Sequence, residues 1–354
     1  MELDQFFLDS INKILEYLDQ EILTIYIRRT VDAFIAGYFL LDKFADTAQL
    51  KIADWPPDAG ICLGFRCDGF YVNENEVGIE GNVFKLKSPT PISYTIYKLT
   101  KLITTTNRDD LLKLYIGIYS WLVDNCTTRC NDPMDIITEL GARQELSLPF
   151  PEAPLGRSLS LTTLPILPGV LGRGVKEDRP LGSLDPKRVV DILDEALGAV
   201  YEAGFYPALA DKWLRYVPEG FDIATKAVEL EALLAGFTPD ANGVESYVEL
   251  LSKTLENILN NRSNIININN IFFIYKLSNY LPYFIKIKGL VALRAETNRG
   301  FVTSLIAPFK EAQRLRGLAE RLKELGHIIE FESSILIYVP RDKWPEASRL
   351  LQLE

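Results

Sequence analysis

Apolar and polar positions follow two different periods along the first 125 residues. Residues 3–19 place six apolar side chains at helical spacing, whereas residues 22–27, ILTIYI, form a short branched run typical of a buried strand. Because strand and helix patterns then alternate, we expect a largely parallel sheet covered on both faces. The predicted helices are 32–46, 92–103 and 110–125, and the predicted further strands are 48–54, 60–65, 71–79 and 82–87.

The pattern changes after residue 147. Residues 148–186 are rich in proline and glycine, which predicts an extended connection laid over a surface. A helical block follows over 187–261. The last part, 262–354, predicts a smaller mixed α/β domain, with strands over 271–277, 283–287, 289–296 and 301–309, a helix over 311–325, a hairpin over 328–339 and a short helix after Pro345. With 354 residues the chain is long enough for two domain cores, and residues 1–147 form the first predicted domain.

The charge is unevenly distributed. The net charge is −10, yet residues 286–323 carry nine Lys or Arg against three Glu, so this segment is +6 and the rest −16. An acidic protein repels nucleic acid at long range, so any contact with single-stranded DNA must use a local basic surface. The alternative is a solvated face paired with nearby glutamates. The candidate nucleic-acid residues are Lys286, Lys288, Arg294, Arg299, Lys310 and Arg314.

Few residue types suited to metal or nucleophilic chemistry are present. His327 is the one histidine, which excludes multi-histidine metal sites and predicts a residue that simply fits a helix-to-strand junction. Cys62 and Cys67, like Cys126 and Cys130, lack CxxC spacing, which favours small buried hydrophobes; a metal shared by Cys126 and Cys130 is the alternative. The aromatic run over 271–284 predicts core packing, with stacking on bases as the alternative.

No apolar run reaches the length of a membrane span, and the acidic, amphipathic N-terminus does not resemble a signal peptide. A cytoplasmic protein without a membrane partner is therefore expected. Asp32 lies where the first strand passes into a helix. We expect its carboxylate to meet free backbone N–H groups at the start of that helix, with a catalytic role as the alternative.

Three segments carry a family resemblance. Residues 28–33 read RRTVDA, residues 117–125 read GIYSWLVDN, and residues 164–170 read LPILPGV. Together with the layout, these segments resemble the DHH phosphoesterase superfamily, and its RecJ-like archaeal members in particular. The resemblance implies a DHH-type α/β domain, the connector, the helical block and a C-terminal DHH-associated domain. It also implies that Asp32 matches the last acid of the family's first motif, and that Asp124 with Asn125 matches a later motif.

The departures from the family are as informative as the matches. Arg28 and Thr30 occupy positions where the family has metal ligands, and no histidine pair exists to complete the site. The resemblance therefore implies an inactive relative, with no catalytic residue, bound metal or cofactor. Arg28, Thr30, Asp32 and Asp124 are its vestigial motif positions. The alternative is an active, metal-dependent single-strand exonuclease or phosphoesterase whose metals are held by acids such as Asp32, Asp54, Asp68 and Asp124.

Inactive RecJ-like proteins imply a particular role. The eukaryotic replicative helicase subunit called cell division cycle protein forty-five is a degenerate RecJ-like protein that sits with the GINS complex on the MCM ring, and the present chain is similar to that type. The expected function is an inactive structural or activating subunit of the archaeal replicative helicase, with GINS, MCM and in addition single-stranded DNA as candidate partners. GINS is expected to bind the C-terminal or helical region. A DHH-like scaffold unrelated to replication is the third alternative.

Overall fold

The computed structural model describes most of the chain, which divides into two compact units. The first unit comprises residues 1–122 and 130–142, and the second comprises residues 123–129 and 143–354. The described residues are 2–20, 23–44, 48–125, 133–162, 175–202, 204, 214–261, 263–278, 281–283, 287, 289–308, 311–331 and 334–352.

The first unit is built on a sheet of six strands with the order β2-β1-β3-β4-β5-β6. The strands β2, β1, β3 and β4 run parallel to their neighbours, and β5 and β6 are added antiparallel. The strands are β1 (Leu23–Arg28), β2 (Ala48–Ala53), β3 (Ala59–Leu63), β4 (Asp68–Val72), β5 (Glu76–Ile79) and β6 (Asn82–Lys85). The interior strand β1 buries Leu23, Ile25 and Ile27 completely, as expected for a strand covered by helices.

The helices among the described residues up to 142 are α1 (Leu3–Leu18), α2 (Val31–Phe44), α3 (Ile92–Ile103), α4 (Arg108–Asn125) and α5 (Met134–Leu140). Gly117 lets α4 approach α3 closely, because a Cβ at this position would lie 2.2 Å from Ser93 Oγ. Tyr94 and Tyr97 on α3 donate hydrogen bonds to Asp135 and Glu139 on α5 at 3.1 and 2.9 Å. A polar seam therefore joins α3 and α5.

The second unit contains a two-stranded sheet and a five-stranded sheet. The small sheet pairs β7 (Arg143–Leu146) with β8 (Leu214–Val217). The large sheet has the order β12-β13-β11-β10-β9, with β9 parallel to β10 and the other pairs antiparallel. Its strands are β9 (Ile265–Asn267), β10 (Val291–Glu296), β11 (Gly300–Ile306), β12 (His327–Glu330) and β13 (Ser334–Pro340).

The helices of the second unit are α6 (Leu155–Ser160), α7 (Pro186–Glu202), α8 (Ile223–Leu234), α9 (Ala241–Asn260), α10 (Ile271–Ser278), α11 (Ala312–Leu322) and α12 (Trp344–Gln352). Helices α11 and α12 cover one face of the large sheet, and their leucines join Leu305, Ile337 and Val339 in one apolar core. Helix α10 packs on the same sheet through Tyr275, whose hydroxyl lies 3.0 Å from that of Tyr338.

The predicted fold class is confirmed: the chain is mixed α/β with a parallel-rich sheet. The predicted strand over 271–277 is wrong, because these residues form the helix α10. Almost all of its residues are buried, and a short, continuous apolar run does not distinguish a buried helix from a buried strand. The prediction of an extended connection over 148–186 does not hold for α6 and a 3-10 turn (Leu181–Ser183), which lie within it. The predicted boundaries of connector, helical block and C-terminal domain stay predictions.

None of the helices in the described residues combines the length and apolar character that crossing a membrane requires.

Candidate functional site

Arg28, one of the predicted vestigial motif positions, lies at the carboxyl end of the interior strand β1. Its side chain is 3% exposed and forms an ion pair with Glu74, whose side chain is also 3% exposed. A second guanidinium N–H donates to the carbonyl oxygen of Gly64 at 2.9 Å. A Cβ on Gly64 would lie 2.7 Å from Arg28 Cβ, and its φ of +90° also favours glycine. The β3–β4 connection is therefore shaped around this arginine.

A short turn between β4 and β5 presents Glu74 to Arg28. The side chain of Asn73 accepts hydrogen bonds from the backbone N–H groups of Asn75 and Glu76, at 2.9 and 3.1 Å, which fixes the turn. Glu76 pairs in turn with Arg66 and accepts from the Tyr71 hydroxyl at 3.1 Å. Each of these two buried glutamates thus has an arginine partner. The remaining oxygen of Glu74, Oε2, has no hydrogen-bond partner among the described residues.

Asp32 caps a helix, but not the helix expected. Its two carboxylate oxygens accept hydrogen bonds from the backbone N–H groups of Ile92 and Ser93, at 2.6 and 2.8 Å, at the first turn of α3. The Ser93 hydroxyl donates to the Asp32 carbonyl oxygen at 2.9 Å. Thr30 caps the start of α2, the helix that contains Asp32: its hydroxyl accepts a long hydrogen bond from Ala33 N–H at 3.4 Å. The carboxylate therefore ties α2 to α3.

Burial alters the acidity of Asp32. Removal from water raises its pKa to about 7, and the nearby charge of Glu74 adds to this rise. The hydrogen bonds from Ser93 and Ile92 act in the opposite direction, because they favour the ionised form. Asp32 and Glu74 thus share one buried electrostatic environment in the first unit.

The other acids proposed for an active site have different surroundings. Asp54 accepts two hydrogen bonds from the Arg29 guanidinium, both at 2.9 Å. Asp68 is exposed at the start of β4. Asp54 is therefore occupied by an arginine at the surface of the first unit, and Asp68 faces solvent, whereas Glu74 and Asp32 are buried.

Asp124 belongs to the second unit and to a separate network. Its carboxylate accepts a hydrogen bond from the Lys276 ammonium at 2.7 Å, and the same ammonium pairs with Glu231. Glu231 also accepts from the Tyr247 hydroxyl at 2.9 Å. Burial, followed by the charge of Glu231, raises the pKa of Tyr247 well above its usual range. One buried lysine on α10 therefore joins Asp124, α8 and, through Glu231, α9.

Half of the candidate nucleic-acid residues, Lys286, Lys288 and Lys310, lie outside the described residues. Arg294 is partly buried, with its guanidinium 5.0 Å from the Phe301 ring centroid and 4.9 Å from that of Trp344. Arg299 and Arg314 are exposed, and Arg314 pairs with Glu311 at 2.6 Å. The segment thus combines a stacked arginine with solvent-facing ones.

The predictions for the aromatic run over 271–284 and for the cysteines can be compared with the structure. Phe272, Phe273 and Tyr275 are buried, so these rings pack in the core and are not presented for stacking on bases. Cys62 and Cys67 form a disulfide, so the prediction of two simple buried hydrophobes is wrong for this pair. The turn between the parallel strands β3 and β4 brings their Cα atoms to 6.4 Å, within bridging range. Cys126 and Cys130 lie outside the described residues.

The donor set of the first unit does not fit the divalent metals that the alternative, an active phosphoesterase, would need. Arg28 places a buried positive charge at the first motif position, Thr30 is a weak ligand, and both oxygens of Asp32 meet backbone N–H groups. Over the residues the structure describes, no group of three or more His, Cys, Asp or Glu side chains is arranged to hold a metal ion. No catalytic step through such metals follows from these residues.

Sequence reasoning missed Glu74 and Lys276, the partners of two motif residues. Glu74 lies in YVNENEVGI, where two glutamates between apolar residues were a usable signal, because acids in such a context are buried only when paired. Lys276 is the one charged residue in IFFIYKL, which is the same kind of signal.

Comparisons with known proteins agree with this architecture. No protein-family model and no curated protein matches the chain. Among solved structures, CDC45 from Entamoeba histolytica matches with a TM-score of 0.51 and 10% identity, over 99% of this chain and 98% of that one. RecJ with Mg²⁺ from Thermus thermophilus has a TM-score of 0.40 and 12% identity, over 99% and 52%. Exonuclease RecJ bound to manganese has a TM-score of 0.41 and 10% identity, over 100% and 94%.

The chain is therefore an α/β protein with a CDC45-like fold, and the predicted resemblance is confirmed at the level of that fold. Identities of 10–12% carry the likeness no further than the fold.

Proposed function

We propose that this protein is a catalytically inactive, cytoplasmic RecJ-like subunit of an archaeal replicative helicase assembly, where it binds GINS and MCM as a structural or activating component. The fold supports this role, because the likeness to CDC45 extends over 99% of the chain and 98% of its counterpart. An inactive subunit needs this fold and the surfaces that bind its partners, but it needs no metal ligands.

The ion pair between Arg28 and Glu74 is the observation that carries the proposed inactivity. A two-metal hydrolase needs anionic ligands that face its ions, and it uses the ions to activate water and to stabilise charge on phosphate. Here the residue at the first motif position is itself a cation, and it is held by a buried carboxylate. A divalent ion would have to enter beside a fixed positive charge, which is electrostatically unfavourable.

The first experiment tests inactivity. Purified protein is incubated with single-stranded DNA in the presence of Mn²⁺ or Mg²⁺, beside the Asp32→Asn variant. We expect no hydrolysis above background by either protein. Metal-dependent hydrolysis that disappears with Asp32→Asn would show an active exonuclease and overturn the proposal; hydrolysis that the variant retains indicates a contaminating nuclease.

The second experiment tests the partnership. The full chain is co-expressed with the GINS subunits of its own host, and with MCM, and the mixture is resolved by size-exclusion chromatography. Co-elution with GINS is the expected result. If neither GINS nor MCM co-elutes with the folded protein, the helicase assignment is wrong, and a DHH-like scaffold with another role is favoured.

Single substitutions then locate the surface. Val190 on α7 and Leu250 on α9 are 55% and 43% exposed, and both lie in the helical block expected to contribute to GINS binding. Val83 on the edge strand β6 of the first unit is 47% exposed and serves as the matched control. We expect Val190→Glu or Leu250→Glu to weaken co-elution and Val83→Glu to leave it unchanged. The reverse pattern would place the interface on the first unit.

A further inference from the structure

The surroundings of Arg28 resemble those of a bound cation more than those of an ordinary surface arginine. Its guanidinium contacts oxygen atoms from two different loops, the carboxylate of Glu74 and the carbonyl oxygen of Gly64. Oxygen donors of this kind, carboxylates together with a backbone carbonyl, are the ligands preferred by hard divalent cations.

We propose that the Arg28 guanidinium is a built-in cation, which neutralises this oxygen-lined cluster permanently, and that removing it converts the cluster into a binding site for a hard divalent cation. The inference rests on the proposed inactivity of the first unit but on no partner, so it and the GINS assignment fail in different experiments.

Charge compensation is the first step of the argument. Glu74 is 2% exposed, and a buried ionised carboxylate without a counter-charge is strongly destabilising. In the native protein Arg28 supplies that charge. If the side chain is truncated at Cβ, Glu74 is left with two routes to neutrality, which are protonation and capture of a cation from solvent.

The positions of Glu74 and Gly64 would allow a divalent cation to bind once the guanidinium is removed. Truncation of Arg28 opens the volume of a guanidinium between Glu74 and Gly64, and it frees both the carboxylate oxygen and the carbonyl oxygen that the guanidinium contacted. The oxygen Oε2 of Glu74 already has no hydrogen-bond partner in the described part of the chain. Water entering the same volume would complete the coordination of a Mn²⁺ or Mg²⁺ ion.

The test uses the full chain with Arg28→Ala, and Arg28→Lys as the matched variant that keeps the positive charge. Unfolding midpoints are measured with and without Mn²⁺ or Mg²⁺, and Mn²⁺ binding is measured by calorimetry. We expect Arg28→Ala to lower the midpoint and added Mn²⁺ to restore roughly 5 °C of it at saturating metal. The native protein and Arg28→Lys should show no metal-dependent shift.

Two further variants make every result decisive. In Arg28→Ala with Glu74→Gln the metal response should disappear, because the anionic ligand is gone. Arg28→Met with Glu74→Gln removes both charges and reports whether the region folds without an ion pair. The proposal is overturned if Arg28→Ala binds no Mn²⁺, if the metal response survives Glu74→Gln, or if Arg28→Ala fails to fold even with metal, whether or not the doubly neutral variant folds.

Discussion

The carboxylate of Asp32 accepts a hydrogen bond from the backbone N–H of Ile92, a residue 60 positions further along the chain. An acid at the start of α2 thus accepts hydrogen bonds from the free backbone N–H groups at the start of α3, so the residue at a predicted motif position joins two helices. The first turn of a helix has N–H groups without internal partners, and its dipole favours negative charge there.

Removal of the Asp32 carboxylate is expected to destabilise the protein. Asp32→Ala leaves the N–H groups of Ile92 and Ser93 without acceptors in a buried place, so we expect the free energy of unfolding to fall by about 2–4 kcal/mol. Urea unfolding measures the change. Asp222→Ala is the control, since Asp222 caps α8 through one hydrogen bond, from Thr225 N–H, and should cost about 1 kcal/mol. Equal losses for the two variants would contradict the joining role of Asp32.

The same carboxylate predicts a dependence of stability on pH. Its ordinary pKa of 3.8 is raised to about 7 in the folded state. Between these two pH values the unfolded chain has lost the proton while the folded chain keeps it. The contribution of Asp32 to the free energy of unfolding is therefore full below about pH 4, declines as pH rises, and is lost above about pH 7.

The slope is at most about 1.4 kcal/mol per pH unit. Asp32→Asn cannot titrate, so the stability of the native protein relative to this variant should decrease between about pH 4 and about pH 7 and then level off. Urea unfolding of both proteins at several pH values checks this. A constant or rising difference over that range would show that the helix N–H groups, and not burial, dominate the pKa of Asp32.

Much of the fold was predictable because its signals are local. Periodicity identified α1 to α4 and β1 to β3, where amphipathic or branched segments are long and end at clear breaks. Helix α10 was not predicted correctly, since its short apolar run lacks a polar face. Asn270 offered a local signal, as its side chain accepts from Phe272 N–H at 3.0 Å.

The site was less predictable because its contacts are not local. The motif positions could be read from the sequence, but the partner of Arg28 is 46 residues away and that of Asp124 is 152 residues away. Spacing along the chain carries no information on such pairs. The sequence indicated that Arg28 is unsuited to a metal site. Only the fold showed that its guanidinium contacts Glu74 and Gly64.

The buried lysine of the second unit is expected to be critical for stability. Lys276→Met leaves Asp124 and Glu231 without their shared cation, so we expect a loss of about 3–5 kcal/mol. Lys323→Met removes an exposed pair with Glu320 and should change stability by less than about 0.5 kcal/mol. Lys276→Met combined with Glu231→Gln should recover part of the loss. If Lys276→Met lowers the free energy of unfolding no more than the surface control does, the buried network contributes little to stability.

Two helical glycines are expected to respond oppositely to alanine. A Cβ at Gly317 on α11 meets nothing within 4 Å, so Gly317→Ala should stabilise the protein by about 0.5–1 kcal/mol through helix propensity. A Cβ at Gly117 on α4 would collide with Ser93 Oγ at 2.2 Å and approach Ile35, so Gly117→Ala should destabilise it. Thermal unfolding of the two variants measures both signs. Stabilisation by Gly117→Ala would mean that α4 does not pack so closely on α3.

The basic C-terminal segment makes a prediction about single-stranded DNA. Arg299 and Arg314 are exposed, whereas Arg294 stacks on Phe301 and is left unchanged because its removal would disturb packing. If the two exposed arginines bind phosphate, Arg299→Glu with Arg314→Glu should lower affinity and reduce the slope of log affinity against log salt by about 0.7 for each phosphate that is no longer neutralised. Fluorescence anisotropy at several salt concentrations measures both quantities.

The control for this experiment must change the net charge equally at another place. Lys226→Glu with Lys253→Glu does so on α8 and α9, where both lysines are exposed and pair with nearby glutamates. Long-range repulsion by added negative charge would weaken binding similarly in both double variants, whereas a local contact weakens it mainly in the C-terminal one. Equal salt slopes for the native protein and both variants would show that the segment is a solvated face, with its arginines paired to glutamates such as Glu311.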